Sequence, residues 1–332
     1  MLIQSTFRPA WWLANSHLQT IYPALLRNAP KPPDYYRERL TTPDQDFIDV
    51  DFCGRKQGPV IILLHGLTGS SQSNYIKGLQ TVLWRYHGMR SAALNFRGCS
   101  GQSNNTARCY HSGETEDIHF FYSWLRQREP DTPLGAVGFS LGGNVLLKWL
   151  GERGNSVQLF AAVAVSVPFL LEVCATRLDS GLSRMYRNNL LQELKAYMDI
   201  KLQHLQAQGY FEEAEKIKAL GDLSGIRSFW QYDDRVVARL HGFADVHDYY
   251  QRSSSRQYLK SIRVPTLIIQ AADDPFMTQE VLPDPTELSD QVDFELTQQG
   301  GHVGFICGYA PGKPAYWLER RIPGYLRCRL VR

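Results

Sequence analysis

The sequence lacks the features that would mark a metal, nucleic-acid or membrane protein. Its six cysteines, Cys53, Cys99, Cys109, Cys174, Cys307 and Cys328, are scattered, and no two form a CxxC pair. That spacing argues against a zinc ribbon and a disulfide framework, and fits reduced thiols in a cytoplasmic protein. An excess of one charge is also missing. The 36 basic and 33 acidic residues leave a formal net charge of +3, with no Lys or Arg run that would track phosphates. No nucleic-acid partner is expected. The longest apolar stretch, LFAAVAVSVPFLL from Leu159 to Leu171, contains Pro168. It is too short to span a bilayer, so no transmembrane segment is expected. The first residues show neither a continuous apolar segment nor a cleavage site, so they do not read as a signal peptide. HExxH, an EF-hand loop and a G-x-G-x-x-G after a strand are absent, which leaves no metal and no dinucleotide cofactor implied.

What is present is an alternation of strand-like and helix-like runs. In the first half, RERLTT and DFIDVDF pair as a hairpin. PVIILLH (Pro59–His65) is a β-branched run suited to a strand buried on both faces. SNYIKGLQTVLWRY has helical spacing, RSAALNF returns to strand, and DIHFFYSWLRQR is a helix that Pro130 ends. LGAVGF and LFAAVAVS add two strands, and VPTLIIQ and QVDFELT two more after residue 262. PAYWLERRIPGYL predicts a last helix stopped near Pro323. The alternation predicts an α/β fold with a mainly parallel sheet flanked by helices. Residues 168–255 interrupt it with helical spacing and few strand signals. We therefore expect one domain over 1–332, with 168–255 as a helical cap or lid inserted in it.

The densest chemical signal is LGAVGFSLGGNVLLKWL (Leu134–Leu150), where Gly138-Phe139-Ser140-Leu141-Gly142 matches G-x-S-x-G. By itself the match is a tight turn. Placed between a buried strand and a helix, it is where a nucleophile elbow must be. Glycines on either side relieve the crowding of a sharp turn that lifts the Ser140 hydroxyl toward the first helical N–H groups. A serine needs a base to take its proton and an acid to orient that base. Of nine histidines, four follow Ser140. His204, His241 and His247 lie in the helical insertion. His302 sits in the glycine-rich QQGGHVGF loop after the last strand, which makes it the expected base. The acid comes from AADDPFM at the end of VPTLIIQ. Asp274 is expected in that role, and Asp273 as a turn acid. The loop LLHGLTGSS is expected to supply the Leu67 N–H, which with the Leu141 N–H forms an oxyanion hole. His65 is expected to brace that loop. A phosphate-binding role is excluded because no Lys-Ser/Thr follows at Walker spacing. Trp11 and Trp12 are expected to pack on the sheet in preference to lining an acyl pocket.

The ordered set HG, GFSLGG, DDP and GGH resembles the α/β-hydrolase superfamily. FRPAWWLANSHLQTIYP, NFRGCSG, HSGETEDI and QYDDRVVARLHGFADVHDYY narrow the resemblance to a subfamily of lipid esterases and medium-chain acyl-ester synthases. The likeness runs over nearly the whole chain and is nearest to compact bacterial esterases. QYDD departs from it, lacking the Phe usual before those paired acids. The resemblance implies a serine carboxylic-ester hydrolase working through an acyl-enzyme on short- to medium-chain, lipid-like esters. Alcohol O-acyltransfer by the same residues and a non-catalytic binding module on this fold are the rival readings.

Overall fold

The computed structural model describes residues 1–29, 31–54 and 57–330. Strands β1 (Leu2–Gln4), β2 (Tyr36–Thr41), β3 (Phe47–Cys53), β4 (Val60–Leu64), β5 (Arg90–Asn95), β6 (Leu134–Phe139), β7 (Ala161–Val165), β8 (Thr266–Ala271) and β9 (Val292–Thr297) form one sheet. Their order is β1-β9-β8-β7-β6-β4-β5-β3-β2. Neighbours are parallel from β1 across to β5, and antiparallel where β3 joins β5 and β2 joins β3. A short antiparallel pair, β10 (Ile306–Cys307) and β11 (Ala315–Tyr316), lies apart from the sheet. The helices are α1 (Ser16–Leu25), α2 (Asn74–His87), α3 (Glu116–Arg128), α4 (Leu141–Arg153), α5 (Leu171–Leu178), α6 (Ser183–Ala207), α7 (Phe211–Lys218), α8 (Phe229–Tyr232), α9 (Arg239–His241), α10 (Val246–Ser253) and α11 (Leu318–Leu330).

The two faces of the sheet are legible in the alternation along β4. Val60, Ile62 and Leu64 pack with Ile118, Phe121 and Leu125 of α3 and Leu146 and Leu150 of α4. Ile61 and Leu63 face the other way, onto Ile76, Leu79 and Leu83 of α2 and Ile322 and Leu326 of α11. Because side chains alternate along a strand, a continuous apolar run is what burial on both faces requires. All of β4, β6, β7 and β8 is buried.

Between β7 and β8 the chain is helical, from α5 to α10, and carries its own apolar cluster, including Leu194, Met198, Leu205, Ile217, Tyr232 and Val246. Lys201 on α6 ties this layer to the body. Its ammonium donates to the Thr106 carbonyl at 2.7 Å and the Arg108 carbonyl at 3.0 Å. No described helix is long and apolar enough to cross a membrane.

Two local expectations are corrected. Pro323 does not stop the last helix, which runs Leu318–Leu330 with Pro323 inside it. Proline lacks the N–H for one helical hydrogen bond, but Ile322, Pro323, Tyr325 and Leu326 are all buried, and that packing outweighs the loss. Trp11 and Trp12 do not pack on the sheet. Trp11 is 70 % exposed and donates its indole N–H to the Tyr309 carbonyl at 2.9 Å. Trp12 joins a small cluster with Tyr22 and Tyr316 beside the β10–β11 pair. The three-residue β1 and helix α1, which carries Pro23 inside it, are additions.

Candidate active site

Strand β6 ends at Phe139, and α4 begins at Leu141. Ser140 alone makes the turn, at φ 51° and ψ −120°. A non-glycine residue held there stores about 1–3 kcal/mol of strain, which the surroundings must offset. Its N–H donates to the Val165 carbonyl at 2.8 Å, and its carbonyl accepts from the Asn144 N–H at 3.0 Å. The flanking glycines have distinct reasons. A Cβ on Gly138 would meet the Gly142 carbonyl, and one on Gly142 would meet the carbonyl oxygens of Leu64 and His65. Gly142 thus lets the elbow sit directly against the end of β4.

The loop after β9 brings His302 over this turn. His302 Nε2 lies 2.8 Å from Ser140 Oγ, and Nδ1 lies 2.8 Å from Asp274 Oδ2. Asp274 follows β8 and is 3 % exposed. Its other oxygen, Oδ1, accepts from the Phe276 N–H at 2.9 Å. Asp273 points elsewhere: its Oδ1 accepts from the Gly301 N–H at 3.0 Å. Burial raises the Asp273 carboxyl above the ordinary carboxylate range.

The loop after β4 also reaches the elbow, where a Cβ on Gly66 would lie 3.3 Å from that of Ser140. Its N–H groups on both sides of Leu67 are occupied, Gly66 by the Tyr75 hydroxyl at 2.8 Å and Thr68 by the Tyr110 hydroxyl at 2.9 Å. The N–H groups of Leu67 and Leu141 have no acceptor among the described residues. His65 braces this loop. Its Nδ1–H donates to the Gly66 carbonyl at 2.7 Å, and its Nε2 accepts from the Phe96 N–H at 3.1 Å. Burial pushes its imidazole down to about 4, so it is neutral and outside proton transfer. Further along, Asn95 accepts from the Ser71 N–H at 2.9 Å and donates to Asp51 at 3.0 Å, which fixes the loop to β3 and β5.

Ser140 and His302 open into a cavity of about 830 Å³. Its walls come from α1 and α11 on one side, with Ile21, Leu25 and Ile322, and from the inserted helices on the other, with Leu171, Leu190 and Phe229. That volume and apolar lining suit a small organic substrate.

A family model described as the alpha/beta hydrolase fold matches residues 59–309. Among curated proteins, "Putative esterase YheT" of Escherichia coli (strain K12) is 42% identical over 98% of this chain and 94% of the relative. "Phospholipase ABHD3" of Mus musculus is 29% identical, over 95% of this chain and 77% of the relative. The chain belongs to the α/β-hydrolase family. Among solved structures, Pyrococcus furiosus esterase Pf2001 superposes with a TM-score of 0.56 at 18% identity, over 91% of this chain and 97% of that one, a likeness of fold alone. With its family and relatives of these names, the chain is a carboxylic ester hydrolase.

Several residues of this α/β-hydrolase that shape the site gave no sequence signal. Thr20 Oγ1 on α1 accepts from the His302 N–H at 2.9 Å, and Ser166 Oγ at the end of β7 accepts from the Val303 N–H at 3.0 Å. The Phe276 ring lies parallel to the His302 imidazole, 4.0 Å between centroids and 3° between planes. A hydroxyl or a ring at such positions has no spacing rule, because the partner is brought close only by the fold.

Proposed function

We propose that this α/β-hydrolase cleaves short- to medium-chain, lipid-like carboxylic esters through an acyl-enzyme on Ser140. The observation that carries the reading is His302 held at hydrogen-bond distance from both Ser140 Oγ and Asp274 Oδ2. His302 takes the Ser140 proton as Oγ attacks the ester carbonyl. The Leu67 and Leu141 N–H groups receive the oxyanion. His302 then gives its proton to the departing alcohol. Water, deprotonated by the same imidazole, attacks the acyl-enzyme and releases the acid. Asp274 keeps the Nδ1–H tautomer and favours the imidazolium as it forms, and Phe276 offers that cation an aromatic face.

The apolar cavity of about 830 Å³ supports an ester with a hydrocarbon chain. Because the inserted helices form one wall of it, we assign residues 168–255 as a cap within a single domain. The six free cysteines support a reducing, cytoplasmic location. A panel of p-nitrophenyl esters from acetate to palmitate, run beside an amide, tests the substrate class. Turnover should peak at short or medium chains and fall by orders of magnitude in Ser140→Ala. Activity of Ser140→Ala equal to wild type sinks the mechanism, and a maximum at palmitate sinks the chain-length reading.

A further inference from the structure

The helical stretch after α8 widens into a π-helix over Asp233–Ala238. Such segments are uncommon and often mark functional sites. The paired acids at its start do different work. Asp234 Oδ1 accepts from the Val246 N–H at 3.2 Å, at the start of α10. Asp233 takes a single hydrogen bond, from the Tyr250 hydroxyl to Oδ2 at 2.8 Å. Among the described residues, its Oδ1 has no partner.

Asp233 is half-buried and lines cavity walls. It lines the large chamber that holds Ser140, and also a side chamber of about 60 Å³. Leu67, Leu141, Phe229 and Tyr249 line both chambers with it, which puts Asp233 on the oxyanion side of the site. Burying a carboxyl in an apolar wall is costly unless its oxygens are satisfied. Anchoring Tyr250 occupies only one of them. Burial also pushes this carboxyl up to about 7, so near neutrality it accepts a hydrogen bond in one form and donates in the other.

We infer that Asp233 is a substrate-binding residue, and that the esters this enzyme prefers carry a hydroxyl group which bonds to Asp233 Oδ1. The inference rests on the reading of Ser140 as the nucleophile and adds a polar anchor to a cavity otherwise suited to hydrocarbon. The hydroxyl belongs either to the alcohol part or to the acyl chain of the substrate.

Two shape-matched pairs distinguish the sources: 2-hydroxyethyl octanoate against propyl octanoate, and methyl 3-hydroxyoctanoate against methyl octanoate. In the wild type, kcat/KM should favour the hydroxyl member of one pair by about tenfold or more, the size of a hydrogen bond to a charged group. That pair names the side of the ester. In Asp233→Leu the preference should vanish. In Asp233→Asn, which still accepts from Tyr250 and so keeps the local packing, it should shrink several-fold. No preference in either wild-type pair, or a preference that Asp233→Asn and Asp233→Leu both leave intact, overturns the inference. If Asp233→Leu does not fold, the wild-type ratios and Asp233→Asn decide. Fluorophosphonate labelling of wild-type Ser140 is the separate check on the nucleophile, so a failed anchor and a failed nucleophile give different results.

Discussion

His302 has one nitrogen facing a hydroxyl and the other facing a carboxylate, and its backbone N–H is held by Thr20. Little freedom is left to the ring, and Phe276 closes one of its faces. The two neighbouring acids are then separable by mutation. Asp274→Asn should lower kcat by about four orders of magnitude, because the tautomer that presents a bare Nε2 to Ser140 is no longer selected. Asp273→Asn keeps an acceptor for the Gly301 N–H and should cost about tenfold at most. Steady-state kinetics on one nitrophenyl ester checks both, and the reverse order of effects would reassign the acid. The convergence of Ser140, Asp274 and His302 could be expected from the sequence because each lies within two residues of glycine or proline after a strand-like run. Thr20 and Phe276 were not, since their roles depend on contacts between segments far apart in the chain.

At the scale of elements, the elbow works because β6, α4 and the end of β4 approach more closely than any side chain allows. Gly142→Ala would drive a methyl group into the carbonyl oxygens of Leu64 and His65. Overpacking of this kind costs about 1–3 kcal/mol or more. Denaturant titration should show a loss of at least that size, together with weaker ester hydrolysis as the Leu141 N–H is displaced. An unchanged midpoint would mean the backbone there yields easily. The β4 and β8 runs and the α2 spacing were readable because burial on both faces, or on one stripe, imprints a period on the sequence. β1 is only three residues long, and Pro323 lies in a helix that its local chemistry disfavours. In both, tertiary packing decides and local pattern does not.

For the whole molecule, histidines and carboxyls displaced by burial set how stability responds to acid, in opposite directions. Burial lowers His65 and His241 to about 4, and His111 well below the ordinary range. In the unfolded chain each returns to about 6.5. Between these values the unfolded state binds more protons than the folded one, so stability is full above about 6.5 and is lost as pH falls toward 4. His65 and His241 together should cost roughly 4 kcal/mol between pH 7 and pH 5, while Asp233, raised by burial to about 7, takes up its proton in the folded state over the same interval and returns roughly 2 kcal/mol, so the net effect is a loss of roughly 2 kcal/mol. Asp46 and Asp51, lowered by their hydrogen-bond donors against burial that raises them, withdraw stability at still lower pH in the same direction. Guanidinium unfolding at pH 7 and pH 5 checks this, and equal stabilities would mean that the folded state takes up those protons freely. The α/β class was open to sequence reading because alternating elements leave few ways to bury a sheet. The joint cavity of α1, α11 and the inserted helices was not, since it belongs to no single segment.

The central claim is that the Ser140 hydroxyl, activated by His302, forms the acyl-enzyme. The most direct measurement is fluorophosphonate labelling of the intact protein followed by peptide mass spectrometry. The adduct should sit on Ser140 in the wild type and nearly disappear in His302→Ala. An adduct on another residue, or equal labelling of Ser140 without the imidazole, would contradict the account.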